Sequence, residues 1–439
     1  MWGTAAIFGT NAEVMTKTIA IMASLDTKGA EVSFLKERIE ALGCRALIVD
    51  IGVFAEPGIP PDVPREMVAA AAGKDWKIVG KGQKHERIAA MAEGAPLLAS
   101  ELYRCGRIQA ILSIGGVQNT TIAVAAMKAL PIGVPKVMVS TVASGQRTFE
   151  PLVGSKDIVL IPSVADLEGI NVLTRTILDN AVAAIVGMTV HSGQPLSAGD
   201  ELIIGATQMG VTNGVAQAAK LLEREGYQVI SFHTTGAGGR AMEELIAQGV
   251  IKAVLDLTLH EMVSEMFGGG FSAGANNRLE AACRAGIPQV IAPGGADFVD
   301  FGIHELPANI ARRKYILHNA NIAHIKLHKE EIVRVGSTIV ERLNRNSGPV
   351  TMLLPLRGFR QATLPGEPLH DAEVDGALME TLRTRLKPEI KIVEVDANIN
   401  DLKFSEVAAA EMRQLLAAHR IENRTATDAT KVSAGRARG

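Results

Sequence analysis

The chain has 439 residues, 47% of them apolar, and its 45 basic residues against 47 acidic ones leave a formal net charge of -2. A chain this long buries one or more large cores, with two or three domains as the length-based expectation. The balanced charge gives no global field for nucleic acid or anionic lipid, so neither is an expected partner.

The opening MWGTAAIFGTNAEV lacks the basic start and long apolar core of a signal peptide. No apolar run approaches the ~20 residues that span a bilayer, so no membrane partner is expected. Three widely spaced cysteines, Cys44, Cys105 and Cys283, form no CxxC pair. They suit a reducing cytoplasm, each as a small buried hydrophobe. From Met15 the pattern becomes regular. Lys17 to Ala23 (KTIAIMA) has the composition of a buried strand, Ser24 to Gly29 turns, an amphipathic helix runs to Ala41, and Ala46 to Val53 is the next strand. A proline-rich loop (Pro57 to Pro64) and a short helix lead to the helix HERIAAMAEGAPLLASELYRCG.

That helix delivers the chain to the stretch from Ile111 to Gly145, which has the form of one βαβ unit. An apolar run stops at Gly115-Gly116, a helix continues to Ala129, and a Val-rich run from Pro135 to Val139 empties into Ser140-Thr141-Val142-Ala143-Ser144-Gly145. In a parallel sheet both turns lie at the carboxyl edge, where open α/β folds bind ligands. Glycine there lets an anion approach the backbone, and the start of the helix is positive. Neither the P-loop nor the GxGxxG spacing is present. The same glycines equally suit tight strand-to-helix turns. Asn119 and Thr120 suit helix caps.

Asp157 to Ile161 is a further strand, Asn171 to Ile185 a helix, and His191 to Gly199 a linker. The plan then repeats: strand Glu201 to Gly205, turn, helix Asn213 to Glu225, strand Tyr227 to Phe232. His233-Thr234-Thr235-Gly236-Ala237-Gly238-Gly239-Arg240 opens the next helix, followed by strand Lys252 to Leu257, a Gly-rich insertion (Phe267 to Gly274), a helix over Asn276 to Ala285 and strand Ile287 to Ile291. The phrase IGVPKVMV is echoed by AGIPQVIA. The expected fold is therefore α/β, with two Rossmann-like doubly wound lobes, mostly parallel, over residues 15–190 and 200–420. Arg312 to Gly336 is expected to be helical, and Ser337 to Asn346 helical again. Strands follow at Val350 to Leu354 and Ile390 to Val395, with a helix from Ala377 to Leu386 between them. The small, polar end of the chain, 421–439, has the composition of a disordered tail.

In the second lobe His233, Arg240 and Glu243 lie on one strand-end turn and its helix, and Asp297 lies in the turn after Ile291. Arg240 and Glu243, three apart, share a helix face. Such groups at adjacent strand ends are what acid/base chemistry needs, and these four are the catalytic candidates. Asp256, His260 and Glu261 follow the next strand. No tight metal signature such as HExxH occurs, and the metal ligands stay open. His304, His318, His324 and His328 suit solvated or capping positions.

The segments DTKG (Asp26 to Gly29), IGG (Ile114 to Gly116), LPIGVPKVMVSTVASG (Leu130 to Gly145), HTTGAGGRAMEEL (His233 to Leu245) and GGADFVDFG (Gly294 to Gly302) resemble a known family. It is the nucleotide-binding N-terminal domain of the tomato mosaic virus resistance protein, with its uncharacterised bacterial and fungal relatives. The likeness runs from about Lys17 to about Ala417. It implies two Rossmann-like lobes, a homodimer, and ATP with Mg2+ in the first lobe. Asp26, Thr27 and Lys28 follow the first strand, where Thr27 suits a phosphate or ribose and Lys28 its neutralisation, and Gly115, Gly116, Thr141, Ser144 and Gly145 form the other wall. The likeness implies no known reaction, and the antiviral role does not carry over.

Three functions remain open. One is an enzyme with nucleotide in lobe one and a small acidic metabolite clamped by Arg240 in lobe two. Another is a nucleotide-gated binding protein whose lobes reorient with ATP and do no chemistry. The third is a lobe-two enzyme that needs no ATP.

Overall fold

The computed structural model describes residues 16–143, 153–191, 201–270, 272–273 and 275–436, without the side chains of 420–436. The chain forms two compact units, Met1–Leu196 and Ser197–Gly439.

In the first unit the elements run β1 (Thr18–Ala23), α1 (Leu25–Ala41), β2 (Arg45–Asp50), α2 (Arg65–Ala71), α3 (Trp76–Val79), α4 (Lys84–Arg104), β3 (Ala110–Gly115), α5 (Val117–Ala129), β4 (Lys136–Ser140), β5 (Val159–Pro162) and α6 (Val172–His191). The five strands form one parallel sheet in the order β2-β1-β3-β4-β5. Ile19 pairs with Ala46 on one side and Ala110 on the other. A strand with neighbours on both edges and helices on both faces has nowhere to put a polar side chain, hence the unbroken run IAIMA. One face carries α1 and α6, with Leu35, Ile39, Leu178, Val182 and Ile185 in its core. The other carries α2, α4 and α5, with Val68, Met91, Ala95 and Ile122. Helix α6 has the length and apolarity to cross a bilayer, although Arg175 and Asp179 interrupt its apolar run. Its Leu178–Val186 face is packed into this core.

The second unit repeats the plan with β6 (Ile203–Gln208), α7 (Thr212–Glu223), β7 (Gln228–His233), α8 (Ala237–Ala247), β8 (Ala253–Thr258), α9 (His260–Phe267), α10 (Glu280–Ala285) and β9 (Gln289–Gly294). It is completed by α11 (Lys329–Asn344), β13 (Val350–Pro355), α12 (Ala372–Arg385), β14 (Lys391–Val395) and α13 (Leu402–Arg436). Its parallel sheet has the order β14-β13-β9-β8-β6-β7. In both sheets the first strand has the second on one side and the third on the other. The chain thus reverses direction across the sheet between β1 and β3, and between β6 and β8, and a crevice opens at the carboxyl end of such a pair. The expected two doubly wound Rossmann-like lobes are what the chain forms.

One expectation is corrected. Arg312 to Gly336 is not one helix: β10 (Phe298–Gly302), β11 (Tyr315–Leu317) and β12 (Ile322–Lys326) form a small antiparallel sheet, β10-β12-β11, before α11 begins at Lys329. Ala323, Ile325 and Leu327 lie in the core, and β12 alternates for only five residues, too few to stand out among the surrounding charges. At the other end the backbone of α13 runs as helix to Arg436; 402–436 contains no proline, and Gly435 is its first glycine.

Candidate functional site

The crevice between β1 and β3 is a cleft of about 190 Å³ lined by Ser24, Thr27, Lys28, Phe54, Gly115, Gly116, Val117, Gln118 and Asn119. Asn119 fixes its shape. Buried in the first turn of α5, its amide oxygen accepts from Ser24 N–H (2.8 Å) and Ser24 Oγ (3.1 Å), and its amide nitrogen donates to Ser113 Oγ (2.9 Å) and the Ile114 carbonyl (2.7 Å). One side chain therefore ties the end of β1 to the end of β3, which is a larger task than capping. Thr120 is no cap either, since its hydroxyl pairs with Ser140 Oγ at 2.7 Å inside the core.

With Asn119 so used, α5 starts at Gly116 with no side-chain cap, and the N–H groups of Val117, Gln118 and Asn119 meet no acceptor among the described residues. These orphan donors and the helix dipole face the cleft. Lys28 lines the same cleft, its ammonium donating to the Leu167 carbonyl with two protons to spare. Gly115 and Gly116 are there for different reasons. A Cβ on Gly115 would lie 2.6 Å from Asn119 Cβ, so the fold itself requires glycine there. At Gly116 the nearest atom to a Cβ is Thr141 Oγ1 at 3.6 Å, ordinary contact, and the backbone φ of -85° suits any residue. No neighbour within the described residues demands glycine at 116. Thr141 borders this edge, its N–H donating to the Gly115 carbonyl (3.1 Å).

Of the expected nucleotide contacts, Thr27, Lys28, Gly115 and Gly116 line the cleft, Thr141 adjoins it, and Ser144 and Gly145 lie outside the described residues. Asp26 is not among the lining residues: its carboxylate accepts from the N–H groups of Phe54 (2.8 Å) and Ala55 (3.3 Å) and so holds the turn after β2. Phe54, which the sequence did not single out, stands 51% exposed in the wall because of that turn.

The second unit holds two separate charge clusters. In one, fully buried Arg278 donates to Asp256 (2.6 Å) and lies 3.3 Å from Glu261 and 3.9 Å from Glu243. The glycine-rich turn Thr235 to Gly239 does hold an anion, but that anion is the carboxylate of Glu261, which accepts from Gly236 N–H (2.7 Å) and Gly239 N–H (3.0 Å). The glycines are required by this packing: a Cβ would lie 2.2 Å from the Ala273 carbonyl at Gly236, 1.9 Å from the His233 carbonyl at Gly238, and 1.8 Å from Glu261 Oε2 at Gly239. Glu243 accepts from the N–H groups of Leu279 (2.6 Å) and Ala281 (2.7 Å), bracing the start of α10, where Leu279 holds a φ of 69° that non-glycine residues rarely adopt. Burial pushes the Glu243 carboxyl up to about 7 against the pull of Arg278, and burial likewise raises Glu261.

In the other cluster Asp297 is fully buried, 3.0 Å from Lys326 Nζ and 3.5 Å from Arg360 Nε. Burial opposes its ionisation, and Lys326 and Arg360 together overcome that, holding it low. Lys326 also donates to Asp375 (2.5 Å), whose carboxyl is raised by burial and by the charge of Asp297. Arg360 lies 3.6 Å over the Phe298 ring and donates to His324 Nδ1 (3.2 Å). His324 is therefore neither solvated nor a cap: burial and then Arg360 push it down to about 3, and the ring is neutral. His304, His318 and His328 are exposed as expected. Behind Phe298, buried His260 stacks at 4.0 Å and sits 3.4 Å from Asp300, which also accepts from Ser264 (2.9 Å) and Ser272 (2.7 Å).

The four catalytic candidates are not brought together. Glu243 is a structural acceptor in the Arg278 cluster, Asp297 a buried ion-pair member in the other, and no hydrogen bond or ion pair joins them. His233 is exposed at the end of β7. Arg240 is half-buried, makes no hydrogen bond or ion pair with a described residue, and keeps a buried Nε without an acceptor. Among the described residues no group of three or more His, Cys, Asp or Glu could hold a metal. Arg278 and Arg360, the centres of the two clusters, were missed; an arginine amid the small apolar residues of GANNRLEAAC was the available signal for the first.

Residues 17–194 match the N-terminal domain, and residues 201–416 the C-terminal domain, of Uncharacterised protein family (UPF0261). A UPF0261 protein of Clostridium tetani is 42% identical over 406 residues, 92% of this chain and 100% of that one. Another from Rhizobium meliloti is 34% identical over 403 residues, 91% and 99% of the two chains. The ToMV resistance protein Tm-1(GCR237) of Solanum lycopersicum is 35% identical over 303 residues, 67% of this chain and 40% of the tomato protein. With the models of both family domains matched along most of its length, the chain belongs to UPF0261, and part of the tomato resistance protein is similar to it.

Proposed function

We propose that the first unit binds ATP in the β1–β3 cleft. The observation that carries this is the uncapped N-terminus of α5, which opens beside Lys28 at the point where the sheet reverses direction. Three free N–H groups, the helix dipole and an ammonium all favour a phosphate chain. The unforced glycine at 116 leaves room for a phosphate oxygen to approach the backbone. The cleft accommodates the phosphate end of the nucleotide, and the exposed ring of Phe54 offers the base a face. Magnesium fits only as a rider on the phosphates: the lining offers the Thr27 hydroxyl and, among the described residues, no carboxylate.

In the second unit Arg240, without an acidic partner, is the group that would clamp a small acidic metabolite. The engagement of Glu243 and Asp297 in structural bonds favours the reading without catalysis, a nucleotide-responsive binding protein. Calorimetry with Mg-ATP tests the first site. Wild type binds one nucleotide, while Lys28→Met and Gly116→Val each weaken it about tenfold or more, roughly 1.4 kcal/mol. Absence of ATP binding by the wild type overturns the proposal, and unchanged affinity in Lys28→Met removes Lys28 from the site. Release of ADP or AMP, alone or with a metabolite panel, separates an enzyme from a binding protein.

A further inference from the structure

Beyond the carboxyl end of β13 the second unit contains a cavity of about 500 Å³, enclosed by the Pro355–Phe359 turn, Thr363 to Pro365, His370, and the first turns of α12 at Ala372, Asp375 and Met379. Its walls are mainly apolar, with Leu364, Met379 and two prolines among them. Such a volume with few polar groups is characteristic of small-molecule sites. The turn that forms it is fixed: Gly358 holds a φ of 109°, and a Cβ there would lie 3.0 Å from Thr363 Oγ1. The far side is clamped by Lys314, whose ammonium bonds the His370 carbonyl and Asp371, each at 2.8 Å.

Of the polar side chains in the wall, Arg357 is paired with Asp396, Thr363 Oγ1 donates to the Arg360 carbonyl and His370 Nδ1 meets the Thr363 carbonyl, while Asp375 is only 6% exposed. Lys326 donates to its Oδ1, and no described residue donates to its Oδ2. The surrounding charges balance, with Asp297 and Asp375 against Lys326 and Arg360. A cationic ligand would add an uncompensated charge to a buried set, and an anion would meet Asp375 directly. A neutral donor needs only the free oxygen. The Met379 thioether in the wall favours an aromatic body.

We propose that this cavity binds a neutral aromatic molecule carrying one N–H or O–H donor, with the donor on Asp375 Oδ2 and the ring against Met379. The site is distinct in residues from the nucleotide cleft and stands or falls independently of it. Indole and benzofuran, which have nearly the same shape but differ in the N–H, are titrated into the full chain by calorimetry. Indole is expected to saturate one site, at least about tenfold more tightly than benzofuran. Ala372→Trp, an exposed position at the lining, is expected to abolish binding with an unchanged circular dichroism spectrum. Met379→Trp serves if that variant does not fold. No saturable indole binding overturns the proposal. Equal affinity for the two probes overturns the role of Asp375, and binding that survives in a folded, filled variant overturns the location.

Discussion

Gly239→Ala separates two readings of a glycine-rich turn, because local propensity and tertiary packing predict opposite signs. Gly239 lies in the first turn of α8, where alanine is intrinsically better by about 1 kcal/mol. Its Cβ, however, would lie 1.8 Å from Glu261 Oε2 and 2.7 Å from Arg278 Cδ, and both side chains are fully buried. Glu261 cannot swing into water, so it must give up the N–H groups of Gly236 and Gly239. Two hydrogen bonds to a charged acceptor are worth about 3–6 kcal/mol together, at roughly 1.5–3 each. Less the propensity gain, the variant is expected to lose about 2–5 kcal/mol. Gly116→Ala is the control, with an ordinary contact at 3.6 Å and an expected cost below about 1 kcal/mol. Urea unfolding followed by circular dichroism, extrapolated linearly, measures both. A Gly239→Ala protein as stable as wild type would refute the account of Glu261 as the anion in that turn.

Glu243 should impose a pH slope. Its folded value near 7 lies above the ordinary glutamate value of 4.5, so the folded state keeps its proton longer, and stability falls as pH rises through that window, by roughly 3 kcal/mol, then levels off. Urea midpoints of wild type and Glu243→Gln between about pH 5 and 8 check this: the slope should flatten in the variant, and an identical slope would place its origin elsewhere. The homodimer implied by the family likeness predicts a light-scattering mass of twice the 46.4 kDa chain at micromolar concentration, and the single-chain mass would contradict it.

What the sequence disclosed was local. The apolar runs of β1, β3, β6 and β8, each closed by turn residues, were visible because a central parallel strand must be apolar on both faces. Gly115-Gly116 was placed correctly at a strand end for the same reason. The sequence could not show who fills a turn: Glu261 is 22 residues from Gly239, and Arg278 draws acids from α8, β8 and α9. Nor could it show that Gly116 is sterically free while Gly239 is not, since that difference depends on atoms distant in the chain. β12 was lost because the alternation IAHIK is too short to outweigh its charged surroundings.

The carboxylate seated in the α8 turn has a bearing on stoichiometry. Glu261 is tethered, so its effective concentration at Gly236 and Gly239 exceeds anything a dissolved anion reaches, and a phosphate could enter only by expelling a buried charge. That loop, for all its likeness to an anion-binding turn, is self-occupied. Raising phosphate in the buffer should therefore compete at the first unit alone, and a titration that counted two nucleotides per chain would have to find its second seat somewhere other than the glycines after β7.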